Sequence, residues 1–198
     1  MRIDSLIIDN FLDDPDFVRN IALNAEFGIT GNFPGSRTFQ CDEKYNQEVI
    51  SKLETILNAK IVEWNRHKEE GSENVIDVDT SCFQLCLEND TTWIHRDPNE
   101  WTGILYLTPD APVDSGTGIY MHKKTGIFRH YQNRQVDDVD INSWQLITFV
   151  GNLYNRMFIF RGDLYHRSVV PGFGTNKYTG RLTQTFFFNT TEYQRIEQ

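Results

Sequence analysis

The chain has 198 residues, enough for one domain with a substantial core, and is 39% hydrophobic and 13% aromatic. Its 28 acidic against 19 basic residues give a net charge of −9, and the only short basic cluster is His122-Lys123-Lys124. Nucleic acid and anionic membrane are therefore disfavoured as main partners.

No apolar run approaches the roughly 20 residues that a membrane helix needs. The opening "MRIDSLIIDNF" lacks the basic start and long apolar stretch of a signal peptide. Three cysteines are an odd count for a disulfide framework. Cys82 and Cys86 are four apart in a predicted strand, about 13 Å, beyond the roughly 7 Å reach of a bridge. Reduced thiols fit a cytosolic compartment, and with no membrane run or signal peptide the sequence predicts a soluble cytoplasmic protein.

In chain order, "SLIIDNFLDD" reads as a short strand leading into a turn. Asp14 is positioned to cap a helix with Pro15 in its first turn, and Phe17, Val18, Ile21, Ala22 and Ala25 recur at helical spacing. "GITGNFPGSRTF" reads as a Gly/Pro loop. A second helix is predicted over 43–57, with Val49, Ile50, Leu53, Ile56 and Leu57 on one face and Asn58 as its stop. "AKIVEWN" reads as a strand, and "HKEEGSENVID" as a charged loop that places His67 on the surface.

From Val78 the texture turns to strands separated by Gly/Pro/Asp turns. The candidates are "VDTSCFQLCLE", "TTWIHRD", "TGILYLT", "GTGIYMH", "SWQLITFVG", "RMFIF", "LYHRSVV" and "RLTQTFFFN". Two helices followed by about eight strands predict a mainly β member of the α+β class, with helices covering one face of a barrel or sandwich. The expected layout is one domain over 1–198, with a helical support region at 1–66 and a β core at 78–190.

Within "TTWIHRDPNEW", His95-Arg96-Asp97 spells three letters of the protein-kinase catalytic loop. That motif requires Asn five residues after the Asp, where this chain has Thr102. Alternate side chains of a strand share a face, so His95 and Asp97 point together and Arg96 points away. An imidazole and a carboxylate on one face are two-thirds of a facial triad that leaves open positions on non-haem iron. By itself such a pair also fits an ordinary turn at Asp97-Pro98-Asn99. Of the downstream histidines, His166 is preferred because it sits in a predicted strand entered by a turn. His122 and His130 flank the basic segment "KKTGIFR".

Arg181 and Thr183 lie two apart on the last predicted strand and share a face. In an antiparallel hairpin they would also share the face of His166. A guanidinium with a hydroxyl is a receptor for a carboxylate.

On these residues the sequence resembles the Fe(II)- and 2-oxoglutarate-dependent dioxygenases, the prolyl-hydroxylase-like branch in particular. The resemblance is carried by "HRD", "TGILYLTPD", "SGTGIYMH" and "FIFRGDLYHRSVVPGFGTNKYTGRLTQTFFF", with "IIDNFLDDPDFVRNIAL" as the opening strand and helix. It implies a double-stranded β-helix, the jelly-roll or cupin-like barrel, with the N-terminal helices packed on one sheet. It further implies His95, Asp97 and His166 as iron ligands, and Arg181 with Thr183 as holders of the distal carboxylate of 2-oxoglutarate. Gln84 is a candidate co-substrate contact or an edge-strand polar group. Tyr106 either contacts co-substrate or faces the helices.

The implied reaction consumes O2 and 2-oxoglutarate, releases succinate and CO2, and hydroxylates a C–H bond of a small molecule or a protein or peptide side chain. A cupin-like metal enzyme that does not use 2-oxoglutarate and a catalytically inactive β-barrel binding module are the alternatives. Segment 123–143 reads as an insertion that could form a lid or a substrate loop. Trp101, Tyr120, Tyr131 and Tyr154 are candidates for a substrate cleft, or for the core.

Overall fold

Local sequence signals account for both helices in the computed structural model, which describes residues 3–64, 80–130, 136 and 138–191. Helix α1 spans Pro15–Asn24; the Asp14 side chain accepts from the Phe17 N–H, and Pro15 stands where its missing N–H costs nothing. Its buried stripe is Val18 and Ala22, narrower than the sequence suggests, because Phe17 and Ile21 stay exposed. Helix α2 spans Glu43–Leu57; Asp42 caps the Tyr45 N–H, and Asn58 ends it in the left-handed region at φ 49°. It buries Val49 and Leu53 and leaves Ile56 exposed.

The described strands are β1 (Ser5–Ile8), β2 (Ile29–Gly31), β3 (Phe33–Gln40), β4 (Ile61–Glu63), β5 (Cys82–Cys86) and β6 (Trp101–Tyr106). They continue as β7 (Thr117–His122), β8 (Trp144–Val150), β9 (Met157–Arg161), β10 (His166–Ser168) and β11 (Arg181–Thr190). The larger sheet runs β1-β9-β6-β11-β5-β3-β2, with β4 also paired to β11. The smaller runs β10-β7-β8. Pairing is antiparallel in both.

The two sheets face each other. Tyr106, Phe158 and Phe160 of the larger sheet pack with Ile119 and Val150 of the smaller one and with Leu164. The helices cover the opposite face of the larger sheet, where Val18, Ala22, Val49 and Leu53 meet Leu105, Met157, Ile159, Leu182, Phe186 and Phe188. Burying these side chains is worth about 1.5–3 kcal/mol each and supplies the main drive for this layer. Strand β11 is buried on both faces over Arg181–Phe188. Leu182, Phe186 and Phe188 turn to the helices, while Arg181, Thr183, Thr185 and Phe187 turn to the space between the sheets.

Four expectations need correction. "GITGNFPGSRTF" is not a loop but the β2–β3 hairpin, held by pairing of β3 with β5. Its Gly/Pro content is explained at Gly35, whose φ is +66° and where a Cβ would lie 2.1 Å from the Leu85 carbonyl oxygen. "TTWIHRD" is not a strand; it is extended chain with one bridge, His95 to His166. Strands β10 and β11 do not form a hairpin, since β10 pairs with β7 and β11 lies between β6 and β5. Gln84 is not on an edge, because β5 has β11 on one side and β3 on the other. The charged loop at 67–77 with His67, and also Tyr131, lie outside the described residues. No helix among the described residues is long and apolar enough to cross a membrane.

Candidate active site

His95 and His166 belong to different stretches of chain and are clamped together through their backbones. The His95 N–H donates to the His166 carbonyl at 3.0 Å, and the His166 N–H donates to the His95 carbonyl at 2.8 Å. Two residues on, the Asp97 N–H donates to the Gly162 carbonyl at 2.8 Å. Gly162 stands in the turn between β9 and β10, where a Cβ would lie 2.2 Å from the Asn99 carbonyl oxygen. This close approach of "HRDPN" to "RGDLYH" takes the place of a full strand pair. It explains why His95 and Asp97 share a face although the segment is not a strand.

The candidate ligand atoms of His95, Asp97 and His166 all lie within 4.8 Å of one another. The Nδ1 of each imidazole bonds the carbonyl two residues earlier: Trp93 for His95 at 3.0 Å, Leu164 for His166 at 2.9 Å. A carbonyl partner fixes the proton on Nδ1 and leaves Nε2 as the basic nitrogen. His166 Nε2 is 3.3 Å from Asp97 Oδ2, and the Thr102 hydroxyl donates to that same oxygen at 2.6 Å. Burial alone would raise the Asp97 pKa. The charge and Nε2 bond that a protonated His166 supplies, the charge of a protonated His95 and the Thr102 bond outweigh it and hold the carboxyl well below the usual range. The edge of Phe160 closes on the His166 ring, with centroids 4.6 Å apart.

One narrow cavity of about 60 Å³ brings the triad together with Gln84, Arg181 and Thr183, the residues anticipated from sequence. Arg181 is buried, its Nε donates to the Ser115 carbonyl at 3.2 Å, and its guanidinium lies 5.8 Å from the Tyr106 ring centre. Tyr106 itself faces between the sheets and donates to Thr117 Oγ1 at 2.8 Å, so it backs the arginine rather than the helices. Thr183 pairs across the sheet with Gln84 on one side and Tyr106 on the other.

Other candidates fall elsewhere. His122 bonds Thr125 Oγ1 and Asp138 Oδ2 at 2.9 and 3.3 Å, and the His130 backbone donates to Asp163. Neither lines the cavity. Trp101 belongs to the helix-side core, Tyr154 packs against that core, and Tyr120 joins the cluster of Ile127, Trp144 and Tyr165. These aromatics build core rather than a cleft.

Sequence reasoning missed Phe33, Pro34 and Arg37, which enter the same cavity from the β2–β3 hairpin. The signal available was "NFPGSRTF", in which an arginine sits among aromatics. Its Gly and Pro pointed instead to a loop.

Among solved structures, a prolyl-4-hydroxylase from Pseudomonas putida is 12% identical over 93% of this chain and 91% of its own, with a TM-score of 0.52. HygX from Streptomyces hygroscopicus, solved with nickel and 2-oxoglutarate bound, is 10% identical over 96% of this chain and 84% of its own, with a TM-score of 0.55. The Fe(II)/α-ketoglutarate-dependent dioxygenase TqaL is 11% identical over 96% and 84%, with a TM-score of 0.50. No protein-family model and no curated protein matches the sequence. At these identities the likeness to these three proteins is one of fold alone.

Proposed function

We propose that the chain is a single-domain, non-haem Fe(II)- and 2-oxoglutarate-dependent dioxygenase that hydroxylates a C–H bond and releases succinate and CO2. The observation that carries this reading is the meeting of a His-Asp-His triad with a buried Arg-x-Thr pair in one cavity between two sheets. The double-stranded β-helix is part of it. From β5 onward the chain passes between the larger sheet and the smaller one, with the His95 bridge extending the smaller sheet beyond β10.

The donor set fits iron. Two imidazoles and one carboxylate are the facial set of non-haem Fe(II) and leave positions open. The tethered Nδ1 atoms and the Thr102 bond are the outer supports such ligands use. His95, Asp97 and His166 would hold the metal, which supplies the oxidising chemistry once 2-oxoglutarate and O2 are bound.

Arg181 offers charge-assisted bonds to the distal carboxylate, and Thr183 adds a hydroxyl from the same face. Gln84 forms the wall beside Thr183. Ile104 lines the cavity, and Phe160 packs against the His166 ring beside it. No protein acid–base pair is asked to act.

The test is anaerobic titration of the Fe(II)-loaded protein with 2-oxoglutarate. A weak visible charge-transfer band should appear, and O2 should then yield succinate. Absence of both the band and succinate would refute the reading.

A further inference from the structure

We propose that β8 is a self-association edge: two copies of the chain pair their β8 strands antiparallel about a two-fold axis at Ile147, joining the two smaller sheets into one.

Strand β8 ends the smaller sheet, with β7 on one side and no strand on the other among the described residues. Every residue from Gln145 to Phe149 is exposed, so both faces of the strand meet solvent. Three of these are large and apolar: Leu146, Ile147 and Phe149 are 42%, 41% and 41% exposed. The run from Ile141 to Asn155 holds no charged residue and no proline, in a chain that is 24% charged. Charge, proline and shortness are the usual means by which a sheet edge is kept from pairing. The outer strands of the larger sheet carry such guards. Strand β1 has four residues bracketed by Asp4 and Asp9, and β2 has three residues. Strand β8 has neither charge nor shortness.

A bulge gathers its apolar side chains. Ile119 pairs with Thr148 and Tyr120 with Leu146, which leaves Ile147 without a register partner on β7. Gly118 pairs with Phe149. Gly118 and Tyr120 are two apart and share a face, so Phe149 and Leu146 share it as well, although they are three apart. Gly118 puts no side chain between them; a Cβ there would lie 2.5 Å from Leu146 Cδ1. This face looks away from the larger sheet, because Tyr120 packs with Trp144 and Tyr165 while Ile119 packs with Phe158 and Phe160. The bulge bends the strand but puts hydrocarbon, not charge, at the bend.

These features select a second copy as the occupant. An open strand edge is completed by another extended strand, and a second β8 is already held extended by its own β7, so pairing has little left to order. A chain of net charge −9 repels its own copies over most of its surface. The neutral strip is where two of them meet without opposing like charges. Two identical strands paired antiparallel form a closed two-fold dimer and leave no further β8 edge. With the axis at Ile147, that side chain meets its own copy, Leu146 meets Thr148, and Phe149 meets Gln145.

The experiment is sedimentation velocity of the unaltered protein from about 1 to 100 µM, with hydrogen–deuterium exchange at both ends of that range. The mass should rise from 23.2 kDa toward twice that value, and the amides of 145–149 should exchange at least about tenfold more slowly at the higher concentration. Ile147→Lys and Ile147→Glu should each raise the dimer dissociation constant at least about 100-fold, because like charges would face each other across the axis. An equimolar mixture of the two variants should recover the dimer, since opposite charges then meet. Phe17→Lys, on the exposed side of α1, should stay within about threefold of the parent.

The proposal is overturned by a monomer at about 100 µM, or by a dimer whose 145–149 amides gain no protection. It is equally overturned by a dimer that survives both Ile147 substitutions, by a mixture that stays monomeric, or by a dimer lost in Phe17→Lys and kept in Ile147→Lys. The mass and exchange measurements on the unaltered protein need no variant to fold.

Discussion

His95 and His166 exchange two backbone hydrogen bonds and place their imidazole rings with centroids 4.4 Å apart. The contact that sets their spacing is made by main chain, so side-chain changes leave it in place. His95→Ala, Asp97→Ala and His166→Ala should fold, and each should lower Fe(II) or Co(II) affinity by at least about 100-fold, since loss of outer supports alone costs 10–100-fold. Calorimetric titration together with a circular dichroism melt checks this. Full metal affinity in any of the three would remove that residue from the ligand set.

Arg181→Met should weaken 2-oxoglutarate binding with metal binding unchanged. Hydrogen bonds to charged groups are worth about 1.5–3 kcal/mol, so the loss should be roughly 10- to 150-fold. Titration of the charge-transfer band measures it directly.

Thr102→Val removes the donor to Asp97 Oδ2 while keeping the side chain's shape. Metal affinity should fall about 10- to 100-fold, and Thr102→Ser should recover most of it. Equal affinity in Thr102→Val would show that the 2.6 Å bond does not orient the carboxylate.

Burial pushes the Cys41 thiol from 9.0 up to about 11, against the lowering effect of bonds from Ser81 and Gln184. A raised thiol pKa means the folded state holds its proton more tightly than the unfolded chain does. The resulting stability is fully present below pH 9 and lost as pH rises through 11. Unfolding midpoints in urea should therefore decline between those values, and Cys41→Ala should flatten the decline. At pH 8 only about one thiol in a thousand is ionised, so alkylation of folded Cys41 should be slow.

Asp42→Ala removes the α2 cap, an acceptor 3.0 Å from the Tyr45 N–H. It should cost about 1 kcal/mol in urea unfolding and leave metal affinity unchanged.

The elements that could be read from sequence are those fixed by local chemistry. Asp14-Pro15 opens α1 and Asn58 ends α2, and β11 advertises its two faces by alternating Arg181, Thr183 and Thr185 with Leu182 and Phe186. The triad was legible because a two-residue spacing puts side chains on one face of any extended chain, strand or not. What escaped was set by distant partners. The β2–β3 hairpin becomes sheet only because β5 lies beside it, and Gly35 and Pro34 mask that from any local reading. Pairing of His166 with His95 rather than with β11 likewise depends on which sheet each strand enters.

The two-faced character of β11 makes its alignment a chemical variable. Sliding it by one residue against β5 and β6 would carry Leu182 and Gln184 between the sheets and press Arg181 and Thr183 into the hydrocarbon beneath the helices. The ten-residue segment 171–180 that feeds this strand sets where the sliding stops. A single-residue deletion there would spoil ligand capture and core packing in one stroke. A two-residue deletion would preserve the sidedness and move the anionic receptor about 7 Å along the sheet. Loop length before β11 is thus a ruler for how long a co-substrate the cavity measures.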